Sequence, residues 1–284
     1  VTIPDEDGDY SDWIEIFNQA DSDIDLAGYG LSDDTTTPFI WVLPSLTIAS
    51  KDHLLIFFFF FNRTEYVKHW ETVIDWGDVC KYKLGTSEPP TNWKNLGFDD
   101  QLWTSGPGGF GYGDNDDSTI VPGNTNSVYV RNVFTVDDVN DIKMAVLHVD
   151  YDDAFVAYLN GVEITRANIG TVNVPPPYNE SATDFTEAVI IYGGRPNTYI
   201  IQNYQSILQN GENVLAIQVH NYGTGSSDLT LIPFLSLGMS SVPENPNGAQ
   251  QLLDLPNKFP HTNFTLSSTG ETVVLTNSQN VIVD

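Results

Sequence analysis

Short β-patterned runs, separated by turn residues, recur along nearly the whole chain and constrain its fold more than any other feature. Within each run, β-branched and aromatic residues alternate with polar ones or form a compact apolar stretch. The runs cover residues 13–17, 40–43, 128–136, 144–151, 155–164, 214–219, 229–237, 264–266, 272–275 and 281–283. The pair Asn160-Gly161 is typical of a two-residue hairpin turn. Since no stretch sustains an amphipathic helix, the sequence predicts an all-β fold of sandwiches or jelly rolls.

An excess of acidic residues limits the partners that the chain can bind. The 284 residues include 38 Asp plus Glu against 11 Lys plus Arg, a net charge of -27. This charge repels phosphate backbones, so we expect no nucleic-acid partner. Cations are natural ligands for so many carboxylates, and we expect structural Ca²⁺ as the cofactor. Solubility alone is the alternative explanation of the charge.

Cysteine content and hydrophobicity argue against two further classes of protein, those held together by disulfides or a cysteine-based zinc site and those that cross a membrane as a helix. The single cysteine, Cys80, rules out a disulfide framework or a cysteine-based zinc site within the chain. The longest apolar run, 54–61, ends in five phenylalanines and is too short to cross a bilayer as a helix, so we expect no membrane insertion. The first residues lack the basic start and apolar run of a signal peptide, so an exported protein would already be processed.

Composition divides the chain into four segments. Residues 1–64 are strongly acidic, and residues 65–242 are richer in Trp, Tyr and Gly. Residues 243–255 contain prolines and an Asn-Gly pair and are typical of a linker. Residues 256–284 are β-patterned but too few to hold a core alone, so they must pack on another part of the chain.

The first and last segments together resemble a bacterial lamin-tail domain. The resemblance lies in Asp-Trp-Ile-Glu at 12–15, the Asp-Leu-Ala-Gly-Tyr-Gly-Leu-Ser-Asp-Asp turn at 25–34, the apolar strand 54–57 and the segment 261–272. That family is an immunoglobulin-like β-sandwich with no known catalytic centre. The resemblance implies one discontinuous domain, interrupted by an insertion of nearly two hundred residues.

The insertion resembles a galactose-binding-like jelly roll. The motifs that carry this resemblance are Asn92-Trp93 and the stretches 97–103, 109–113, 151–163 and 211–220. Members of this broad class occur beside catalytic domains in secreted glycan-processing proteins and in surface adhesins. Many bind carbohydrate and many are spacers, so the resemblance implies a binding or structural module without saying which.

Three acidic clusters are candidate metal sites. Carboxylates that alternate along a turn can converge on one Ca²⁺, which takes six to eight oxygen ligands. The predicted ligands of the first cluster are Asp5, Asp7, Asp9 and Asp12, in the first segment. Those of the other two, in the insertion, are Asp114 and Asp116 after Gly113, and Asp152 and Asp153 before the run that begins at residue 155. The alternative for each is a solvated turn whose Asp side chains accept local backbone N–H groups.

Two tyrosines are candidate sugar-binding residues. Aromatic rings stack on sugars, and Tyr178 follows three prolines while Tyr222 lies in a Gly-rich loop, so both are expected at the surface. Trp93 and Trp103 belong to the jelly-roll motif and are expected in the core. The five histidines form no His-x-x-x-His pair, and no Gly-x-Ser-x-Gly elbow is present, so we expect no catalytic residues and no enzyme activity.

These observations predict an immunoglobulin-like sandwich with an inserted jelly-roll sandwich, in a secreted or cell-surface protein. We expect a non-catalytic extracellular binding or adhesion module whose partner is a glycan or a protein at the cell surface, or another copy of itself. The alternatives are a structural subunit of an extracellular filament or surface assembly, and an accessory region of a larger secreted enzyme.

Overall fold

A computed structural model describes residues 3–4, 10–58, 67–256 and 259–284. The chain divides into two compact units, described separately below. The first unit consists of residues 1–67 and 256–284, and the second of residues 68–255. The prediction of an all-β fold is confirmed: the described residues hold nineteen strands and a single four-residue α-helix, α1 (Tyr204–Ile207). None of the described helices is long and apolar enough to span a membrane.

The first unit is built from short strands contributed by both ends of the chain. They are β1 (Trp13–Phe17), β2 (Ile24–Asp25), β3 (Gly30–Ser32), β4 (Trp41–Val42), β5 (Thr47–Ile48), β6 (His53–Phe57) and β19 (Val274–Thr276). β1 pairs with β6, β2 with β5, and β3 lies between β4 and β19. All of these pairs are antiparallel. The last strand of the chain therefore completes a sheet that begins more than two hundred residues earlier.

An apolar cluster holds the first unit together. Its buried members include Leu31, Trp41 and Ile56, and partly buried Phe264 and Leu275 pack against it from the last segment, residues 256–284. The prediction of a strand at residues 264–266 is wrong, because this segment is not part of any sheet. Two of its side chains nevertheless pack on this core. Phe57 and Phe58 of the phenylalanine run are buried, and residues 59–61 lie outside the described part of the chain.

The second unit is made of two six-stranded sheets. The first, here called the β13 sheet, has the order β11–β10–β18–β13–β16, with β7 also paired to β18. The second, here called the β17 sheet, has the order β15–β14–β17–β12–β8–β9. The strands are β7 (His69–Ile74), β8 (Val79–Leu84), β9 (Thr104–Pro107), β10 (Phe110–Tyr112), β11 (Thr119–Ile120), β12 (Ser127–Val136), β13 (Ile142–Asp152), β14 (Ala154–Leu159), β15 (Val162–Ala167), β16 (Asn197–Ile200), β17 (Gly211–His220) and β18 (Leu229–Met239).

The main core of the second unit is formed by side chains from both sheets. Side chains alternate across each strand, so every second residue of β13 and β17 reaches this core, among them Leu147, Val149, Ile217 and Val219. The predicted hairpin is confirmed, because Leu159 pairs with Val162 across a two-residue turn. Both residues of that turn have positive φ, Asn160 at 50° and Gly161 at 87°, which Asn and Gly tolerate better than other residues.

A second apolar cluster covers the other face of the β17 sheet. Trp93 and Trp103 are buried there against Tyr129 and Tyr158, as expected from the sequence. Arg131 is buried beside them, where its Nε donates to Asp100 at 2.8 Å and its Nη1 donates to the carbonyl of Trp93. The loop that carries both tryptophans is thereby fixed to the sheet.

Residues 243–255, which sequence analysis assigns to a linker, pack within the second unit. Leu253 is buried against Ile232 and Phe234 on the outer face of the β13 sheet. The backbone N–H of Asn247 donates to the buried carboxylate of Glu71 at 3.0 Å. β18 presents large apolar side chains on both faces, and residues 243–255 bury those on its outer face.

Acid is expected to destabilise the fold through His220, which is fully buried in β17. Its Nδ1 lies 2.8 Å from the carbonyl of Glu180, while Nε2 has no hydrogen-bond partner among the described residues. Burial lowers the pKa of His220 to about 4. An unfolded histidine titrates near ~6.5, so between these pH values the unfolded chain binds a proton that the folded chain does not. The stability contributed by His220 is therefore complete above pH ~6.5 and is lost as the pH falls toward 4.

The variant His220→Asn tests this expectation, because the Asn amide can donate to the same carbonyl but does not titrate. The free energy of unfolding, measured with urea between pH 4 and 7, should fall less steeply on acidification than in the wild type. Equal slopes for the two proteins would contradict the assignment.

Candidate functional site

The polar outer face of the β13 sheet places most of the predicted metal ligands of the second unit close together. Tyr151 of β13 faces the main core, so its neighbours Asp150 and Asp152 point to the opposite face. Asp152 pairs with Thr230 of β18, which in turn pairs with Gly111 of β10. Because residues opposite one another on adjacent strands share a face, Asp152, Thr230 and Gly111 form one row across the sheet. The loop after β10 folds over this row.

The first acidic cluster consists of Asp114, Asp116 and Asp117 in the loop between β10 and β11. Carboxylate oxygens of these three residues lie within 4.8 Å of one another. Asp116 is buried, and Thr230 Oγ1 lies 3.3 Å from its Oδ1. Asp114 Oδ1 and both oxygens of Asp117 are buried without a hydrogen-bond partner in the described structure. A Cβ at Gly111 would clash with the Asp117 carboxylate, so glycine lets this group lie against the sheet.

Burial and mutual repulsion disfavour the ionised form of the carboxylates in the first cluster. Burial, followed by the charge of Asp116 and then of Asp114, raises the pKa of Asp117 to about 8. Burial and the neighbouring Asp114 raise the pKa of Asp116 to about 7. Carboxylates this close can all ionise only if a positive charge compensates them.

The second acidic cluster consists of Asp152, Glu187 and Asp228, whose oxygens also lie within 4.8 Å of one another. Asp152 is 3% exposed, and its Oδ1 has no hydrogen-bond partner among the residues that the structure describes. Burial, then the charges of Asp153, Asp228 and Glu187, raise the pKa of Asp152 to about 8. Glu187 is exposed and Asp228 half-buried, so this cluster opens to solvent on one side.

Asp153, predicted as a metal ligand with Asp152, belongs to neither cluster. Its Oδ2 accepts the backbone N–H of Tyr222 at 2.6 Å, and its Oδ1 accepts that of Thr186 at 3.2 Å. Asp150 has a similar role, because it accepts the backbone N–H groups of Val189 and Ile190. Both carboxylates therefore anchor loops that cross the outer face of the sheet.

The predicted metal site in the first unit is only partly within the described residues. Asp5, Asp7 and Asp9 lie outside them. Asp12 is described and exposed, and no metal-type cluster among the described residues includes it.

The two candidate sugar-binding tyrosines differ in their surroundings. Tyr222 is 56% exposed, and its ring makes an edge-to-face contact with Phe185, which is 70% exposed, at a centroid distance of 6.4 Å. Tyr178 is half-buried and packs against the tryptophan cluster, with its backbone held by Glu88 and Ser127. Phe185, Glu187 and Asp228 were missed by sequence reasoning, because only the fold brings their loops together.

Two loops carry this surface, and both are held in place. Residues 182–189 and 221–228 are joined by the hydrogen bond from the Ala182 N–H to the Asn221 carbonyl at 3.0 Å. The Asn221 side chain donates to the carbonyl of Asp228 at 2.7 Å. Oxygen-rich clusters of this kind suit a hard cation such as Ca²⁺, and an exposed aromatic pair suits a flat apolar ligand face.

Comparison with solved structures finds weak likenesses to glycoside hydrolase family 2 enzymes. A Bacteroides uniformis β-glucuronidase 2 is 14% identical, with a TM-score of 0.38, and the match covers 59% of this chain and 18% of that enzyme. A family 2 glycosyl hydrolase from Bacteroides cellulosilyticus is 11% identical, with a TM-score of 0.38 and coverage of 60% and 20%. A Bifidobacterium dentium β-glucuronidase is 16% identical, with a TM-score of 0.34 and coverage of 56% and 21%. The match thus spans about a fifth of the length of these structures.

Comparison with protein-family models finds no match, and neither does comparison with curated proteins.

The anchoring role of Asp153 predicts a loss of stability when it is replaced. Asp153→Ala removes the acceptor of two backbone N–H groups, which should lower the free energy of unfolding by about 2–3 kcal/mol. The matched control is Asp184→Ala, an exposed residue whose carboxylate accepts the N–H of the next residue, Phe185. Urea denaturation should show the same loss with Ca²⁺ and with EGTA. A loss that appears only with Ca²⁺ would instead make Asp153 a metal ligand.

Proposed function

We propose that this chain is a non-catalytic, extracellular binding module whose second unit binds carbohydrate on the surface formed by Phe185 and Tyr222. The observation that carries the proposal is this pair of exposed rings on two anchored loops. Neighbouring exposed apolar side chains that form a contiguous patch can mark an interaction site. The rings present apolar faces to a ligand, as sugars require, and their loops are already ordered, which reduces the entropic cost of binding.

We assign Ca²⁺ to the first acidic cluster as a structural cofactor. Three carboxylates, with three oxygens that have no hydrogen-bond partner among the described residues, supply the hard oxygen ligands that Ca²⁺ prefers. Leaving such groups buried and unpaired is costly, and a bound cation removes that cost. Extracellular Ca²⁺ sites operate at about 10⁻⁴–10⁻³ M, so a site of ordinary affinity would be filled outside the cell.

The absence of catalysis remains part of the proposal and rests on the form of the two clusters. A glycosidase uses two carboxylates on either side of the bond that it cleaves. Here, the three carboxylates of each cluster offer oxygens within 4.8 Å of one another, an arrangement that can hold one cation. His148 and His220 are both fully buried, which removes them from contact with a substrate at the surface.

Loss of the aromatic pair should weaken carbohydrate binding. Each aromatic contact contributes about 0.5–1.5 kcal/mol beyond area burial, so Phe185→Ala with Tyr222→Ala should weaken binding by about 1–3 kcal/mol, or roughly five- to 150-fold. Affinity electrophoresis through gels containing mannan, xylan, galactan or β-glucan measures the retardation of the intact chain. Tyr192→Ala, which removes another exposed ring, is the control and should migrate as the wild type does. Equal retardation of the double variant and the wild type would contradict the proposal.

Calcium should stabilise the second unit through the first cluster. Binding to the folded chain alone adds about 2.7 kcal/mol at a concentration one hundred times Kd. Asp117→Asn should reduce this gain, and in EGTA at neutral pH it should raise stability, because the buried Asp117, with a pKa of about 8, must take up a proton on folding and Asn need not. Asp137→Asn makes the same charge change at an exposed position and should leave the gain intact. Thermal melts with Ca²⁺ and with EGTA give both quantities, and a wild type indifferent to Ca²⁺ would refute the assignment.

A further inference from the structure

We propose that the second acidic cluster holds a Ca²⁺ ion that binds the sugar directly, through two neighbouring hydroxyl groups of a neutral glycan. This inference rests on the proposed function and specifies how the same surface recognises its ligand. Each of the two loops supplies one exposed ring and one carboxylate of the second cluster. Residues 182–189 carry Phe185 and Glu187, and residues 221–228 carry Tyr222 and Asp228.

The buried carboxylate of Asp152 points to a cation in this cluster. This side chain is 97% removed from solvent, and Oδ1 finds no hydrogen-bond partner in the described part of the chain. Oxygens of Asp152, Glu187 and Asp228 lie within 4.8 Å of one another. Ligands at 2.3–2.6 Å from Ca²⁺ can be separated by at most about 5 Å, so all three oxygens can reach one ion.

The protein leaves the coordination of this ion incomplete. Three carboxylates provide at most six oxygens and provide three if each binds through one, whereas Ca²⁺ takes six to eight. Asp152 closes the inner side of the cluster, while Glu187 is exposed and Asp228 half-buried. The remaining ligands must therefore come from the solvent side, where sugar hydroxyls can replace water.

The aromatic pair lies beside this open side. Phe185 is two residues from Glu187, a distance of no more than about 7 Å along an extended chain. The backbone N–H of Tyr222 is bound to Asp153, the residue after Asp152, at 2.6 Å. One sugar unit can thus pack its apolar face on a ring while its hydroxyl groups reach the ion.

The charge of the chain favours neutral glycans over acidic ones. An ion held by three carboxylates carries no net positive charge to attract a uronate, and the whole chain has a net charge of -27. Hydroxyl groups bind Ca²⁺ as neutral oxygen donors, without this repulsion.

The test combines calcium titration with polysaccharide binding on the full chain. Glu187→Gln removes the charge of the solvent-side ligand and keeps its shape, and Glu212→Gln makes the same change at an exposed residue of β17. Calorimetry with Ca²⁺ alone should show two sites in the wild type and in Glu212→Gln, and one in Glu187→Gln. Affinity electrophoresis in the neutral polysaccharides should show at least tenfold weaker binding in EGTA, and in Glu187→Gln with Ca²⁺ present. Circular dichroism confirms that each variant is folded.

The outcomes separate this inference from the proposed function. If Glu187→Gln retains both Ca²⁺ and sugar while the double aromatic variant loses sugar, the ion has no part in recognition and the proposed function stands. Retardation by polygalacturonate alone would overturn the choice of neutral glycans. If no polysaccharide retards the wild type with Ca²⁺, both the inference and the proposed function fail.

Discussion

The antiparallel pairing of β13 with β18 is the interaction on which the rest of the second unit depends. It runs from Ile142 with Met239 to Asp152 with Thr230, with a bulge between Ile142 and Met144 and one register from Met144 to Asp152. One face of this pair supplies apolar side chains to the core, and the other places Asp150, Asp152 and Thr230 on the polar outer face of the β13 sheet. A slip of one residue would exchange the two faces and bury charge in the core.

On the polar outer face of the β13 sheet, similar carboxylates have different roles. Asp150 and Asp153 accept backbone N–H groups, and these bonds hold the loops against the sheet. Asp117 and Asp152 have buried oxygens that lack a partner within the described structure, and burial raises the pKa of both. Groups of the first kind are satisfied by the fold alone. Groups of the second kind are buried at a cost in stability, which the cation that we propose would offset.

The same contacts that stabilise this face of the molecule also position the proposed binding surface. The loops 182–189 and 221–228 are positioned by Asp150, Asp153 and Asn221, and the same loops carry the exposed rings and two carboxylates of the second acidic cluster. A rigid support holds these side chains in place, so the binding that we propose would spend little energy on ordering them. The first unit shows the same dependence on distant pairing, since its β3 is completed by β19 from the far end of the chain.

The sequence by itself determined the all-β class, the Asn160-Gly161 hairpin and the core positions of Trp93 and Trp103, because strand periodicity and turn chemistry are local properties. It also singled out Asp114, Asp116 and Asp152, which lie in the two acidic clusters, and Tyr222, which is exposed. Only the tertiary structure decided that Asp153 anchors a loop, that Tyr178 packs on an aromatic core, that Phe185 contacts Tyr222, and that Glu187 and Asp228 lie beside Asp152. Residues 243–255 show the same limit, since their local composition is that of a linker but they cover a sheet. The reason is that a carboxylate or ring takes its role from the groups around it, and those groups come from strands and loops that are far apart in the sequence.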